Sequence, residues 1–413
     1  MRRTLIGILG AAAFAVPPAA WAQSALDQSP PVADAGSTVA AKTAQTVVAT
    51  PERAILNGRV FDRVWSLAFN HYYDPSMQGV DWKGLREKLR PRAVVAADEE
   101  ALYAVLNELM APLNDAHARV LSPKESNQDR TRDRPRAVLG LMLAREENRF
   151  LVEDVRPGSP AEAAEVGVGW EVVKVDGQPF VSGATYAEGV PVEVEFLDEA
   201  RASRKVMLTP RMMPAPERRM VKWAAPDVLV LRFDGFERGT ARWIREQIEG
   251  APKGTRIVLD LRANRGGYVF EARNVLSCFL PEGEPWAVER PRGRGDRPDK
   301  VRGGCGTFDA PLVVMVGPGS RSAAELVSGV LQERGRAVVV GQKSAGDVLV
   351  AREFTLPDGG RLNLSVSDVR TAGGKRLEHE GVTPDIVAET TRADRRAGKD
   401  PALDAAVEAV RKR

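Results

Sequence analysis

Histidine and cysteine are almost absent from this chain, at three and two of 413 residues, and their scarcity removes several chemistries at the outset. No Cys/His/Asp/Glu cluster stands at metal-ligand spacing, no cysteine pair is two residues apart, and no glycine loop ends in Gly-Lys before a helix. Structural zinc, dithiol redox chemistry and nucleotide-phosphate binding therefore have no carrier, and no cofactor is expected. Excess charge is missing too: the formal balance is +3, and taking Arg2 and Arg3 away with a leader leaves +1 (3 minus 2). Neither nucleic acid nor an anionic membrane surface is implied as a partner. The basic, Gly/Pro-rich run 290–302 reads as a solvated loop rather than a phosphate-binding patch. Long apolar runs are lacking as well. Outside residues 5–16 nothing approaches the roughly 18 apolar residues of a membrane span, so the mature chain is expected to have none.

Residues 5–16 have a different use. They follow Arg2-Arg3 and precede Pro17-Pro18 and the small-residue site Ala20-Trp21-Ala22, the layout of a secretory signal cleaved after Ala22. The protein is expected to be exported, to a periplasmic or extracellular space. There Cys278 and Cys305 are candidates for a disulfide, with two unpaired thiols as the other reading. Residues 23–50 lack periodicity and read as a flexible spacer. Length and 43% hydrophobic content then support a large core with a smaller satellite.

Three regions follow in order. Residues 51–130 carry helical patterns: Phe61, Val64, Trp65, Ala68 and Tyr72, then Leu102, Val105, Leu106 and Leu109 after Asp98. The turn Asp115-Ala116-His117 comes next, where His117 is either a general base oriented by a carboxylate or a turn residue bonded to Asp115. His71, in His71-Tyr72-Tyr73, reads as structural. Residues 136–210 are short β-like runs broken by Gly and Pro, among them Gly140-Leu141-Met142-Leu143. From 220 to 395 strands alternate with helices, predicting an α/β layer architecture, and an amphipathic helix closes the chain over 396–413. Two turns in this region stand out. Gly266-Gly267 follow the buried run 257–262, and adjacent glycines there either let backbone N–H groups approach a ligand or simply turn the chain. Gly319-Ser320-Arg321-Ser322-Ala323-Ala324-Glu325 joins the apolar run 311–316 to a helical pattern, which makes Ser322 either a helix N-cap or a nucleophile at a sharp strand-to-helix turn. A hairpin is predicted over 351–366, and the charged cluster Glu378-His379-Glu380 leads to Gly381-Val382-Thr383-Pro384-Asp385.

Together these stretches resemble the C-terminal processing (tail-specific) protease family of serine peptidases over nearly the whole chain from 53 to 389. The specific elements are Asp115-Ala116-His117, the 260–267 segment, Ser320 to Glu325, and Gly381 to Asp385. The resemblance implies a ClpP/crotonase-type core with an inserted PDZ domain, in which Gly140, Leu141, Met142 and Leu143 would offer backbone groups to a polypeptide C-terminus or extended segment. It also implies Ser322 as nucleophile and an oxyanion hole from the amide of Ala323 and one from Gly266 or Gly267. Met142, Glu165 and Trp170 depart from the PDZ pattern, so the 165–171 turn is expected to be remodelled. Asp347 stands where many such proteases have a lysine base, Lys343 is displaced from that position, and an aspartate cannot imitate a neutral lysine. A tricorn-like branch instead uses a histidine placed like His117 with a glutamate placed like Glu378, and His379 and Glu380 are neighbouring alternatives. The expected activity is an exported serine endopeptidase acting on polypeptides. The alternative is a catalytically inactive relative acting as a peptide-binding or scaffolding module, and an acyl-CoA enzyme is disfavoured by the leader and PDZ pattern.

Overall fold

The Thr50 side chain accepts the Arg53 amide and opens the helix Pro51–His71, whose buried stripe Val60, Phe61, Val64, Leu67 and Ala68 follows the helical period. The computed structural model describes residues 48–130, 134–146 and 149–413, so the expected leader and most of the spacer lie outside the described residues. Asp81 and Asp98 cap the next two helices, Trp82–Val94 and Glu99–Met110, in the same way. This helical segment is not self-contained, because its core takes in Leu356, Leu362 and Leu364 from the last third of the chain. Those residues belong to the predicted hairpin, which is present as Val350–Thr355 paired antiparallel with Arg361–Thr371. The short strand Arg119–Leu121 pairs with the same long strand. That pairing carries the turn containing His117 onto the sheet of a region some 250 residues away in sequence.

The α/β layers are present. Five parallel strands, Val228–Phe233, Arg256–Asp260, Leu312–Val316, Val338–Gly341 and Ile386–Val387, lie side by side in that order, and Arg219–Ala225 adds an antiparallel edge. The period-2 rule sorts their side chains. Leu229, Leu231, Ile257, Leu259, Leu312 and Val314 face one core with Ile244, Val275 and Val327 from the helices Thr240–Glu249, Val269–Leu276 and Ala323–Glu333. Val228, Val230, Val258, Val313 and Met315 face the other, beneath the helix Pro401–Arg411. The C-terminal helix is thus a layer of the core rather than an appendage. Arg262 fixes it, bridging Asp260 at 2.7 Å and Asp400 at 2.8 Å.

Between the two regions lies an inserted β-domain. Its entry strand Arg136–Val138 pairs with its exit strand Arg211–Met213, and a six-stranded sheet runs from Leu141–Glu146 at one edge to Ser203–Leu208 at the other, with the short strand Gln178–Pro179 paired off this path. Glu165 takes a positive φ of 53°, and Trp170 packs edge-on against Phe196. The helix Arg392–Arg396 fastens this domain to the core through Arg392 to Glu146, Arg395 to Glu153 at 3.1 Å, and Arg396 to Glu199 at 2.6 Å.

Cys278 and Cys305 form a disulfide, both buried, with Cα atoms 4.8 Å apart. Closing a 27-residue separation stabilises the chain by roughly 3 to 4 kcal/mol in the entropy model. Cys278→Ser/Cys305→Ser is therefore expected to unfold at clearly lower temperature than the wild type under non-reducing conditions, and to match it once reductant is added. Equal melting under both conditions would remove the stabilising role.

Candidate active site

Asp260 and Met315 are directly paired in adjacent parallel strands, so the turns that follow them meet at the carboxyl edge of the sheet. The first turn holds Gly266 and Gly267, at φ 89° and 141°, and the second holds Ser322. Their contact is tight enough that a Cβ on Gly266 would lie 2.7 Å from Ser322 Cβ and 3.1 Å from the Ala323 nitrogen. Glycine is required there on both counts.

Ser322 has φ 54° and ψ −116°, a sparsely populated conformation for a residue with a Cβ. It is held by its surroundings. Its N–H donates to the Asp347 carbonyl at 2.9 Å and to Glu325 Oε2 at 3.0 Å. Glu325 is fully buried and also accepts from Ser344 Oγ, the Gly346 amide and the Asp347 amide, at 2.6, 2.7 and 3.0 Å. Burial pushes its pKa up despite those donors. Sequence reasoning named Glu325 in a motif but gave it no role, although its place three residues after Ser322 is capping-box spacing. Ser320 and Asn264 were missed likewise. Ser320 Oγ donates to the Leu261 carbonyl at 2.7 Å, and Asn264 Nδ2 to the Phe233 carbonyl at 2.8 Å, tying both turns to the sheet.

Asn264 also decides between the two glycines. Its Oδ1 accepts the Gly266 amide at 2.9 Å, so that donor is occupied. The amides of Gly267 and Ala323 have no partner among the described residues. Of the three expected oxyanion donors, Gly267 and Ala323 remain available and Gly266 serves as the close-packed support.

The Asp347–Val348 peptide group links Ser322 to Glu378. Its carbonyl accepts the Ser322 amide, and its N–H donates to Glu378 Oε2 at 2.5 Å. Ser322 N and the Glu378 carboxylate are thus no more than about 8 Å apart. Asp347 itself pairs with Arg321, and Lys343 is exposed and bonded to none of these groups. His379 is half exposed, with Nε2 3.7 Å from Glu378 Oε1, and the neighbouring Glu380 is exposed.

His117 enters from the helical segment. Its amide donates to Asp115 Oδ1 at 2.8 Å and its Nδ1 lies 3.7 Å from the same oxygen, too long for a hydrogen bond. Asp115 is almost wholly buried. Burial opposes its ionisation, but the His117 ring, the Ser365 hydroxyl and the His117 amide outweigh it and hold its pKa below the ordinary range. Tyr72 O–H and Ser365 Oγ are buried beside it. Among the described residues no hydrogen bond joins His117 to Ser322. The rings of His117 and His379 and the carboxylate of Asp115 all act electrostatically on Glu378.

Burial pushes the Glu378 carboxyl above its ordinary value of 4.5, against the Val348 amide and both histidines. A carboxyl raised on folding adds stability below its unfolded pKa, and that contribution is lost as pH rises through the folded value. Asp115 has the opposite sign, losing its contribution as pH falls through its depressed folded value. Glu378→Gln mimics the protonated form, so its stability relative to wild type is expected to improve from about pH 4 to about pH 8. Denaturation curves at several pH values check this, and a constant difference would contradict it.

Peptidase family S41 matches residues 227–388, and the tricorn protease C1 domain matches residues 59–111. A carboxyl-terminal-processing protease of Synechocystis is 26% identical over 345 residues, covering 79% of each chain. A carboxy-terminal-processing protease of Bartonella bacilliformis is 27% identical, covering 82% of this chain and 81% of its own. The solved photosystem II D1 C-terminal processing protease superposes with a TM-score of 0.59 at 23% identity, over 81% of this chain and 93% of that one.

Proposed function

Because the chain belongs to the C-terminal processing protease family of serine-type peptidases, we propose that Ser322 is its nucleophile, His117 its general base and Glu378 the assisting carboxylate. The observation that carries this reading is the strained Ser322 turn facing the two unpartnered amides of Gly267 and Ala323. Ser322 Oγ attacks the substrate carbonyl while His117 takes its proton, and the carbonyl oxygen, now negative, is met by those two N–H groups. His117 then returns the proton to the leaving amine, and water hydrolyses the acyl-enzyme by the reverse proton path. Asp115, buried behind the imidazole, stabilises it while charged.

The inserted domain acts as a PDZ-type recruiter, and the core is of the ClpP/crotonase type. Leu141–Glu146 is an edge strand preceded by Gly140 at φ 89°, which supports addition of a polypeptide C-terminus or extended segment along Gly140, Leu141, Met142 and Leu143. The chain is exported by its leader. The inactive-relative reading rests on Asp347 alone, and the family's peptidase activity does not favour it. A fluorophosphonate probe tests the site: it should label wild type and neither Ser322→Ala nor His117→Ala. A folded wild type that resists the probe would overturn the assignment.

A further inference from the structure

The basic run 290–302 is largely exposed. It spans the turn of the hairpin formed by Pro285–Pro291 and Arg297–Lys300, and its arginines help to wall a cavity of about 460 Å³. Arg292, Arg294, Arg297 and Arg352 line this cavity with His71, against a single carboxylate, Glu289. The lining is therefore +3 without the histidine (four minus one). Glu289 stands opposite Arg297 in the ladder but is also bonded by Ser367 Oγ at 2.7 Å. Arg292 gives one nitrogen to the Tyr72 carbonyl at 2.7 Å, and Arg294, Arg297 and Arg352 form no ion pair among the described residues. Elsewhere arginines of this chain find carboxylates, as Arg290 does with Asp296 at the rim of the same hairpin. Gathered guanidinium groups repel one another, and their planar forks match carboxylates.

Position gives the cavity a use. Val350 lines it and stands three residues beyond Asp347, whose carbonyl holds the Ser322 amide. Three residues span at most about 11 Å, a length that three or four residues of extended substrate also cover.

We propose that this cavity is an anion subsite of the peptidase, taking Asp and Glu side chains of the polypeptide substrate about three to four residues from the cleaved bond. The assignment rests on Ser322 marking the cleavage point. Acidic segments gain affinity there through charge-assisted hydrogen bonds, and the gain falls with salt.

The test is fluorescence anisotropy on the full mature chain carrying Ser322→Ala, with two labelled peptides that differ only in an Asp/Glu-rich or a Ser/Gln-rich stretch. The acidic peptide is expected to bind about tenfold or more tighter at low salt, and the preference to shrink as salt is raised toward about 0.5 M. Arg294→Glu/Arg297→Glu in the same background should abolish the preference and leave the neutral peptide unchanged, which also reports that the variant is folded. Equal affinity for both peptides, or a preference untouched by the two substitutions, overturns the proposal. Binding to anionic phospholipid vesicles without any peptide preference would overturn it too, assigning the arginines to a membrane surface. Because binding is read without turnover, a wild type that cleaves polypeptides yet shows no acidic preference refutes the subsite alone. Acidic preference in a chain that no active-site probe labels refutes the nucleophile assignment alone.

Discussion

Ser322→Ala is expected to lower kcat/KM on a polypeptide substrate by about a thousandfold or more while leaving the melting temperature nearly unchanged. On the proposed assignment the hydroxyl is the group the reaction needs, and no hydrogen bond of that hydroxyl holds the fold among the described residues. What the fold holds at this position is the backbone, through the Ser322 N–H to Asp347 and Glu325. Alanine keeps that N–H and keeps the Cβ, so it keeps the strain at φ 54° and ψ −116°. Ser322→Gly separates the two contributions. Relief of a sparsely populated backbone conformation is worth about 1–3 kcal/mol and glycine's extra unfolded-state freedom removes about 0.5–1 of it, so the glycine variant should be inactive yet more stable by about 1 kcal/mol. Steady-state kinetics and thermal unfolding of the three proteins decide the matter. Retained activity in Ser322→Ala would dismiss the nucleophile, and equal stability of the alanine and glycine variants would dismiss the stored strain.

The turn at Ser322 was legible because its ingredients are local: an apolar strand, a glycine, a small polar residue and a helix start lie within a dozen positions. The Gly266-Gly267 turn was legible for the same reason, but which amide stays free was not. That choice depends on the direction of one side chain, Asn264 Oδ1, and rotamers leave no trace in spacing. Glu325 shows the next level of difficulty. Its capping-box distance to Ser322 is visible, whereas its donors at 344, 346 and 347 come from a loop about 20 residues on that only the tertiary fold brings back. The α/β layers followed from alternation of strand and helix. That the helical segment would share its core with Leu356, Leu362 and Leu364 did not, since apolar periodicity identifies a face and not its partner. The basic run is largely exposed, as read, but its gathering with Arg352 around one cavity was not legible, because only the tertiary fold brings the hairpin and Arg352 together.

His117→Ala is expected to lower kcat by about 10²- to 10⁴-fold with little change in KM, because a general base acts on the transition state and not on peptide binding. The position of this residue makes the outcome informative. It is carried by the turn before Arg119–Leu121, which pairs with Arg361–Asn363, so loss of activity by itself could be attributed to a displaced turn. Added imidazole distinguishes chemistry from displacement, since it can replace a missing base in the space the alanine leaves but cannot repair a shifted strand. Partial rescue of His117→Ala by imidazole is therefore expected, and no rescue of Ser322→Ala. Asp115→Asn should lower kcat less and should not respond to imidazole, because its carboxylate acts through the ring from 3.7 Å and bonds the His117 amide at 2.8 Å. Asp347→Lys in the His117→Ala background should remain slow, since the Asp347 side chain is directed toward Arg321 and a lysine in its place has no bond holding it toward Ser322. Activity of His117→Ala within about threefold of wild type would transfer the proton to another group, with Glu378 and Glu325, both buried with raised pKa values beside Asp347, as the candidates.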